Sequence, residues 1–358
     1  MKLIGNINLN NIRGDITGGI TAAIVALPFA LAMGLASGAG AEAGLYGAII
    51  TGFFAAIFGG TPSQVSGPTA PMTIVMSLIV TKYLAIYPDT GLALAFFTVF
   101  LAGIFQICFG LLKLGKYINL MPHAVISGFM TGIGVIIIVL QLPQILGFYD
   151  IKGSTLNIFS ELGNVGQLFN NFGAISLSIM TLIIIYLLPK RITRIVPSPL
   201  IALTFGTLIL LILPEYFASN SEPYSQMILG AIPTGLPSFQ LPAIELSIIV
   251  DLIISALTLA ILGSIDSLLT SLVADEITRT HHDSNKELIG QGIGNTLSGL
   301  FGGLPGAGAT MRTMANVKAG GFTPISGSLH AILLLIIVLG GGKFASHIPL
   351  AVLGAILV

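Results

Sequence analysis

The sequence predicts an all-α polytopic membrane protein built as seven-plus-seven inverted repeats. Three observations carry this prediction. Apolar residues make up 54% of the 358 positions, whereas charged residues make up only 8%. Long apolar runs recur along the chain, each near the roughly 20 residues that cross a bilayer. Two stretches rich in glycine and proline interrupt these runs at matching places.

Composition also excludes several classes of protein. About a quarter of the residues of a soluble domain are charged, and this chain has too few charged residues to cover a surface exposed to water. Its net charge is zero, so the composition does not indicate a basic surface that would bind nucleic acid. Cys108 is the only cysteine, so a disulfide framework and a cysteine-based metal site are both excluded. The expected surroundings are a lipid bilayer, with no nucleic-acid partner.

Apolar runs between charged or turn-rich clusters define the candidate membrane segments. In the first half they cover about 16–34, 43–58, 68–80, 92–112, 121–142, 172–189 and 198–213. After a polar loop, the second half covers about 246–273, 287–302, 309–318, 323–341 and a last run from near 348. The chain stops at Val358, inside a run too short to span. We therefore expect the fold to be incomplete at the C-terminus.

The placement of lysine and arginine predicts a cytoplasmic N-terminus, and we expect the protein to lie in the cell's inner (plasma) membrane. With that orientation most basic residues fall on the inside, as the positive-inside rule requires. The inside set is Lys2, Arg13, Lys113, Lys116, Lys190, Arg191, Arg194, Arg279, Lys286 and Lys318, and the outside set is Lys82, Lys152 and Lys343. Arg312 is left near the membrane interior.

The two interrupted stretches occupy the third segment of each half. The first reads "GGTPSQVSGPTAP" from Gly59 to Pro71, and the second reads "GGLPGAGATMRT" from Gly302 to Thr313. Short, glycine- or proline-broken segments at matching places indicate the binding site of a transporter. Because seven is odd, the second half enters the membrane from the opposite side, so two short helices meet with their amide ends facing. Such ends attract anions. Glycine-rich surface loops are the alternative.

Asp266 is the strongest candidate for a site residue. It lies within the apolar run "TLALAILGSIDSLLTSLVAD", where a carboxylate costs about 2.5–3.5 kcal/mol to insert, so it is expected to face a partner or a wet cavity. Thr270 is four residues further on and shares its helix face. The two side chains offer hard oxygens that suit Na⁺. Asp266 could alternatively carry a proton or cap the neighbouring short helix.

Three further residues lie at the starts of the two short helices. Thr69 and Thr310 occupy near-equivalent positions, where a hydroxyl can cap the helix and donate to an oxyanion. Arg312, two residues past Thr310, brings a full positive charge. It could bind a divalent anion, neutralise Asp266 or reach the lipid headgroups.

No enzyme pattern competes with this interpretation. The HExxH zinc motif and the phosphate-binding P-loop are both absent from the sequence. An intramembrane aspartyl protease needs a second membrane aspartate facing the first, and Asp251 lies fifteen residues before Asp266. We expect no enzymatic activity, no catalytic residues and no cofactor other than a coupling ion.

Several of these motifs together resemble the SulP family of anion transporters. They are "GDITGGITAAIVALPFALAMGLASG", "SGPTAPMT", "VISGFMTGIGVIIIVLQLP" and the block from "VADEITRTHHDSNKELIGQGIGN" to "GGLPGAGATMRTMANVKAGG". The resemblance covers essentially the whole chain and implies fourteen helices, divided into a core domain and a gate domain that move against each other as an elevator. It assigns 1–112 and 241–342 to the core, and 113–240 and the truncated 343–358 to the gate. The resemblance also implies a cytoplasmic STAS domain after the membrane part, and we expect the present sequence to end before such a domain begins.

The resemblance also implies roles for individual residues. The Na⁺-dependent bicarbonate transporters of the family are especially similar, and they imply Na⁺ at Asp266, Thr270 and the backbone of Gly308, Ala309 and Thr310. Bicarbonate would then lie near Thr69, Ala309 and Thr310. Arg312 departs from that branch, which has glycine, and matches the arginine that many other members carry beside the anion.

The sequence therefore leaves more than one function open. The first is uptake of bicarbonate driven by Na⁺ bound at Asp266. The second is H⁺-coupled uptake of sulfate or a dicarboxylate, with Arg312 as a ligand of the anion. An uncoupled anion channel is a third. The family resemblance also suggests a homodimer.

Overall fold

The computed structural model describes residues 11–120, 123–148, 172–193, 197–217, 224–230, 239 and 248–358. Lys2, Lys152 and Arg194, which the orientation prediction used, lie outside these ranges. Within them the chain is helical apart from turns and one two-stranded ladder.

The helices of the first half follow the predicted segments in order. Their bounds are α1 Ile12–Ala36, α2 Ala41–Phe58, α3 Ala70–Ile86, α4 Gly91–Leu111, α5 His123–Ile145, α6 Phe172–Leu187 and α7 Ser198–Ile212. A 3₁₀ helix, Leu114–Leu120, follows α4. Single helical turns occur at Lys190–Thr193, Pro214–Phe217 and Tyr224–Met227.

The helices of the second half also match the predicted segments. Their bounds are α8 Ile249–Thr278, α9 Ser284–Leu300, α10 Thr310–Lys318, α11 Pro324–Ala345 and α12 Leu350–Leu357. Four helices of the described residues are long and apolar enough to cross a membrane, namely α1, α2, α4 and α8. Several of the others are apolar but shorter.

The largest error in the predicted boundaries concerns α3. The prediction ended this segment near position 80, but the helix runs to Ile86 and has 17 residues. The charge of Lys82 is accommodated because its ammonium pairs with the Asp251 carboxylate in the first turn of α8. The predicted end of the third segment is therefore wrong for α3, although α3 is still one of the shorter apolar helices, and α10 is short as predicted, with nine residues.

The two interrupted stretches lie side by side. Strand β1, Ser66–Pro68, pairs antiparallel with strand β2, Gly306–Gly308, with Gly67 opposite Ala307. Each strand runs directly into a helix, β1 into α3 and β2 into α10. Because the strands are antiparallel, the two helices begin at opposite ends of one short ladder. The prediction that the broken helices meet is confirmed.

Close packing around this ladder depends on small residues. Helices α4 and α9 approach each other at Gly103 and Gly292, where a Cβ atom on Gly292 would lie 2.6 Å from the Gly103 carbonyl oxygen. Membrane helices associate through such contacts because lipid leaves little hydrophobic force between them. The polar loops before β1 and β2 are thereby held among packed helices rather than exposed.

The chain divides into two compact units. The first consists of Met1–Phe129 and Leu236–Ile336, and the second consists of Met130–Gly235 and Ile337–Val358. The first unit contains both strands and α1–α4 with α8–α10. In the second unit, α12 packs against α6 and α7, and an antiparallel bridge joins Ile228 to Pro349.

Candidate functional site

The candidate site lies where α3 and α10 begin, and all its residues belong to the first unit. Thr69 is the residue before α3, and Ala309 is the residue before α10. Neither residue caps its helix with a side chain. Uncapped helix starts keep the partial positive charge of their first amide groups, which is the property that favours an anion.

Asp266 of α8 faces the start of α3. Its side chain is buried, with the residue only 3% exposed, and its Oδ2 atom accepts a 2.6 Å hydrogen bond from the Thr69 hydroxyl. Among the described residues its hydrogen-bond partner is a hydroxyl and not a helix amide, so the alternative in which Asp266 caps the short helix is wrong. A buried carboxylate with one hydroxyl partner retains lone pairs that can receive a cation.

Thr270, one turn after Asp266, contacts the start of α10. Its hydroxyl donates to the Gly308 carbonyl oxygen at 2.9 Å and lies 2.8 Å from the Thr310 hydroxyl oxygen. The Ser267 hydroxyl accepts the Gly308 amide at 3.1 Å. One face of α8 therefore holds β2 and the first turn of α10 through a row of oxygen atoms.

These contacts change the predicted role of the two threonines. The sequence allows each of these hydroxyls either to cap its helix or to donate to an oxyanion. Instead, the Thr69 hydroxyl is directed to Asp266 and the Thr310 hydroxyl to Thr270. Thr310 is moreover the first residue inside α10 rather than the residue before it. The capping alternative is wrong because partners on α8 compete successfully for both hydroxyls.

Ala309 is the single residue between the end of β2 and the start of α10. Its amide donates to the Val65 carbonyl at 2.9 Å, and its own carbonyl accepts the Thr313 amide at 2.8 Å. The carbonyl keeps its second lone pair. Ala309 can thus offer a carbonyl oxygen and a methyl surface, whereas its amide is already engaged.

Arg312 is buried in the first turn of α10. It is only 4% exposed, which excludes the alternative in which it reaches the lipid headgroups. Its Nη2 atom donates to the Pro68 carbonyl at the end of β1, and its Nη1 atom has no hydrogen-bond partner among the described residues. Arg312 and Asp266 interact electrostatically, but they form no ion pair within 4.0 Å. The guanidinium therefore keeps a free donor near the ladder.

The oxygen-rich face suits a hard monovalent cation better than a transition metal. Among the described residues, no group of three or more His, Cys, Asp or Glu side chains could hold a metal ion. The groups on this face are one carboxylate and several neutral hydroxyl and carbonyl oxygens, so all the possible ligands are oxygen atoms and they carry a single negative charge. Hard cations prefer oxygen ligands, so the donor types fit Na⁺.

Sequence reasoning missed a buried polar row on α9. Glu287, Gln291 and Asn295 are spaced four residues apart and are all buried. Gln291 contacts Ser66 of β1 at 2.5 Å, and Asn295 contacts Gly306 of β2 at 2.7 and 2.8 Å. The spacing of four was the available signal, because it places all three side chains on one face of the helix.

Comparison with known proteins gives consistent matches. A model of the sulfate permease family matches residues 12–358. The bicarbonate transporter BicA of Synechocystis sp. is 50% identical over 358 residues, covering 99% of this chain and 62% of the relative. The putative sulfate transporter YvdB of Bacillus subtilis is 36% identical over 317 residues, covering 87% of this chain and 57% of the relative. The chain thus spans less than two thirds of the length of these relatives.

A solved structure gives the same match. The transmembrane domain of a cyanobacterium bicarbonate transporter BicA superposes with a TM-score of 0.91 and 49% identity, covering 99% of this chain and 89% of that one. The prediction of a multi-span membrane protein with the inverted-repeat transporter fold is confirmed by this match.

Proposed function

We propose that this chain, which belongs to the sulfate permease family, is a secondary active transporter that imports bicarbonate together with Na⁺. Its family and its relatives are named as transporters and not as enzymes. The single observation that carries the proposal is the hydrogen bond from Thr69 to Asp266, because it joins an uncapped helix start to a buried carboxylate. A cation and an anion bound at these two groups would be immediate neighbours.

The proposed Na⁺ site is the oxygen-rich face between α8 and the start of α10. Asp266 would supply the charged oxygen, Thr270 and Thr310 would supply hydroxyl oxygens, and Gly308 and Ala309 would supply carbonyl oxygens. The close contacts among Thr270, Gly308 and Thr310 support this assignment, since they hold three of the donors together.

The proposed anion site lies between the starts of α3 and α10. Ala309 would contact a bound oxyanion there. The Thr69 and Thr310 hydroxyls donate to Asp266 and Thr270 in this structure, so each would have to turn from that partner to donate to the anion. The free first-turn amides of both helices add partial positive charge. Arg312, whose guanidinium contacts the Pro68 carbonyl at the end of β1, adds a full positive charge, so the site does not depend on helix dipoles alone.

Charge explains how binding of the two ions is coupled. Without Na⁺, the buried Asp266 carboxylate lies beside the anion site and repels bicarbonate. In a low-dielectric site such repulsion is strong, because the Coulomb energy scales inversely with the dielectric constant. Bound Na⁺ cancels the charge of Asp266, so the helix starts and Arg312 attract the anion. By linkage, bicarbonate then strengthens Na⁺ binding by the same factor.

We further propose that the ions cross by an elevator movement. The core domain, 1–112 and 241–342, would carry the site past the gate domain, 113–240 and 343–358. All proposed ligands belong to the first compact unit, which supports a site carried by one moving body. The N-terminus would be cytoplasmic and the protein would lie in the plasma or inner membrane as a homodimer.

A second candidate function is H⁺-coupled uptake of sulfate or a dicarboxylate. The observation that favours it is the buried Arg312 with its free Nη1 donor, which suits a divalent anion. The relative named as a putative sulfate transporter is in line with it. In this case Asp266 would carry the proton in place of Na⁺.

Uptake into proteoliposomes distinguishes these functions. Labelled bicarbonate is supplied with and without an inward Na⁺ gradient, and labelled sulfate with and without a pH gradient. We expect bicarbonate to accumulate above equilibrium only with the Na⁺ gradient, which also excludes a channel. Bicarbonate uptake that is unchanged without Na⁺ would overturn the proposal, and sulfate accumulation driven by pH would establish the second candidate.

A further inference from the structure

Glu287 of α9 is a second buried carboxylate in the first unit, and the proposed transport does not use it. It is only 1% exposed. Its Oε2 atom accepts the amides of Gly60 and Thr61, both at 2.9 Å. Its Oε1 atom accepts the side-chain amides of Gln64 at 2.7 Å and Gln291 at 2.8 Å. Four donors thus converge on one buried carboxylate in the first turn of α9.

Three of these four donors belong to one segment, 60–64, which precedes β1. This segment has no regular hydrogen bonding of its own apart from a turn between Thr61 and Gln64. Glu287 therefore replaces the backbone partners that a helix or strand would provide. Since an irregular backbone within packed membrane helices needs such partners, the carboxylate determines where this segment lies.

The segment in turn contacts the proposed cation ligands. The Gln64 side chain packs on Gly308, where a Cβ atom would lie 2.7 Å from the Gln64 Cδ atom and 3.0 Å from the Thr270 Cβ atom. The Gln64 Oε1 atom accepts the Ser271 hydroxyl at 2.9 Å, and that hydroxyl lies 2.7 Å from the Thr61 hydroxyl oxygen. Ser271 directly follows Thr270 on α8. Gln64 thus lies against Gly308 and Ser271 at once.

We propose that Glu287 is a positioning residue for the cation site. Through Gln64 and Thr61 it fixes the spacing between α8 and β2, and hence between the Thr270 hydroxyl and the Gly308 carbonyl. The inference rests on the proposed function, because the cation site is itself proposed. Residues that orient the ligands of a bound ion typically change its affinity without touching it.

The test compares Glu287→Gln with wild-type protein in the proteoliposome assay. The glutamine keeps the size of the side chain but places an N–H group against N–H donors. We expect the Na⁺ concentration for half-maximal bicarbonate uptake to rise about tenfold, as for other residues that orient ion ligands. The bicarbonate KM at saturating Na⁺ should stay unchanged. An unchanged Na⁺ requirement in a folded Glu287→Gln protein overturns the inference.

Asp15→Asn is the matched control. Asp15 is also a buried carboxylate, and it accepts the Phe322 amide at 2.9 Å, the Thr323 amide at 3.0 Å and the Thr323 hydroxyl at 2.7 Å. It holds the start of α11 and touches no proposed ligand. We expect this variant to lose thermal stability but to keep the wild-type Na⁺ requirement. A rise equal to that of Glu287→Gln would show a general loss of packing and contradict a positioning role.

Two further measurements keep the inference testable if Glu287→Gln does not fold. Gln64→Leu removes the link to Ser271 but leaves the two backbone bonds of Glu287, and it should also raise the Na⁺ requirement. Hydrogen exchange of wild-type protein should show slow exchange at Gly60 and Thr61. Fast exchange there, or a wild-type Na⁺ requirement in Gln64→Leu, overturns the inference.

Bicarbonate uptake by wild-type protein that does not depend on Na⁺ would instead overturn the proposed function. Failure of the inference and failure of the proposed function therefore give different results.

Discussion

The Thr69 hydroxyl donates a 2.6 Å hydrogen bond to the Asp266 carboxylate, although the two residues lie 197 positions apart. This bond connects the broken helix of the first half to the carboxylate of the second half. It means that whatever neutralises Asp266 also changes the electrostatic environment of the α3 start. The proposed coupling of cation and anion binding depends on this proximity.

Removing the Thr69 hydroxyl should weaken transport. Thr69→Ala deletes a hydrogen bond to a charged group, which contributes about 1.5–3 kcal/mol in proteins, so we expect kcat/KM for bicarbonate to fall by roughly tenfold or more. Thr69→Ser keeps the hydroxyl and should retain most of the activity. Initial uptake rates measure both variants, and wild-type rates in Thr69→Ala would argue that the bond has no role in transport.

Neutralising Asp266 should abolish coupling without abolishing the fold. Asp266→Asn keeps the side-chain volume and can still accept from Thr69, but it removes the charge that would bind Na⁺. We expect inserted, folded protein that no longer accumulates bicarbonate against a gradient. Gradient-driven uptake at the wild-type level in this variant would refute the cation assignment.

Replacing Arg312 should affect divalent anions more than monovalent ones. The Coulomb energy between Arg312 and an anion is proportional to the anion's charge, so sulfate loses about twice as much as bicarbonate. Arg312→Gly should therefore weaken competition by sulfate more than transport of bicarbonate. Arg312→Lys is the control for charge, because it keeps the cation but not the guanidinium fork that contacts Pro68. Equal effects on both anions would count against direct contact.

The contact between α4 and α9 should be sensitive to a single methyl group. Gly292→Ala places a Cβ atom 2.6 Å from the Gly103 carbonyl oxygen, and such overpacking costs about 1–3 kcal/mol. Gly128→Ala on α5 is the control, because no heavy atom of the described residues lies within 4 Å of its Cβ position. Thermal unfolding in detergent should show a lower unfolding temperature than wild type for Gly292→Ala but not for Gly128→Ala. A lower unfolding temperature in both variants would indicate a general effect of replacing glycine and not a specific clash.

Much of the fold follows from features that the sequence displays directly. Apolar runs located the helices, and the matched Gly/Pro breaks indicated that β1 and β2 would meet. Asp266 stood out because a carboxylate in an apolar run is costly, and it proves to be buried beside Thr69. These features depend on local composition, which a single sequence records.

The remaining features depend on partners that are distant in the chain. The end of α3 could not be predicted because Lys82 is balanced by Asp251, 169 positions away. The sequence left the Thr69 and Thr310 hydroxyls free to cap their helices, but in the structure both are engaged by partners on α8. Glu287 resembled an ordinary acidic residue in the first turn of α9, since nothing nearby shows that Gly60 and Thr61 donate to it.

Bicarbonate binding at varied Na⁺ concentration tests the central claim most directly. Isothermal titration of purified wild-type protein and Asp266→Asn, each in sodium and in choline buffer, separates binding from transport. In wild-type protein we expect saturating Na⁺ to tighten bicarbonate binding at least about fivefold, the lower end of ordinary coupling between two sites. In Asp266→Asn, binding should be equal in both buffers, because no carboxylate charge remains to be cancelled. Wild-type affinity that is the same in sodium and in choline would contradict the account.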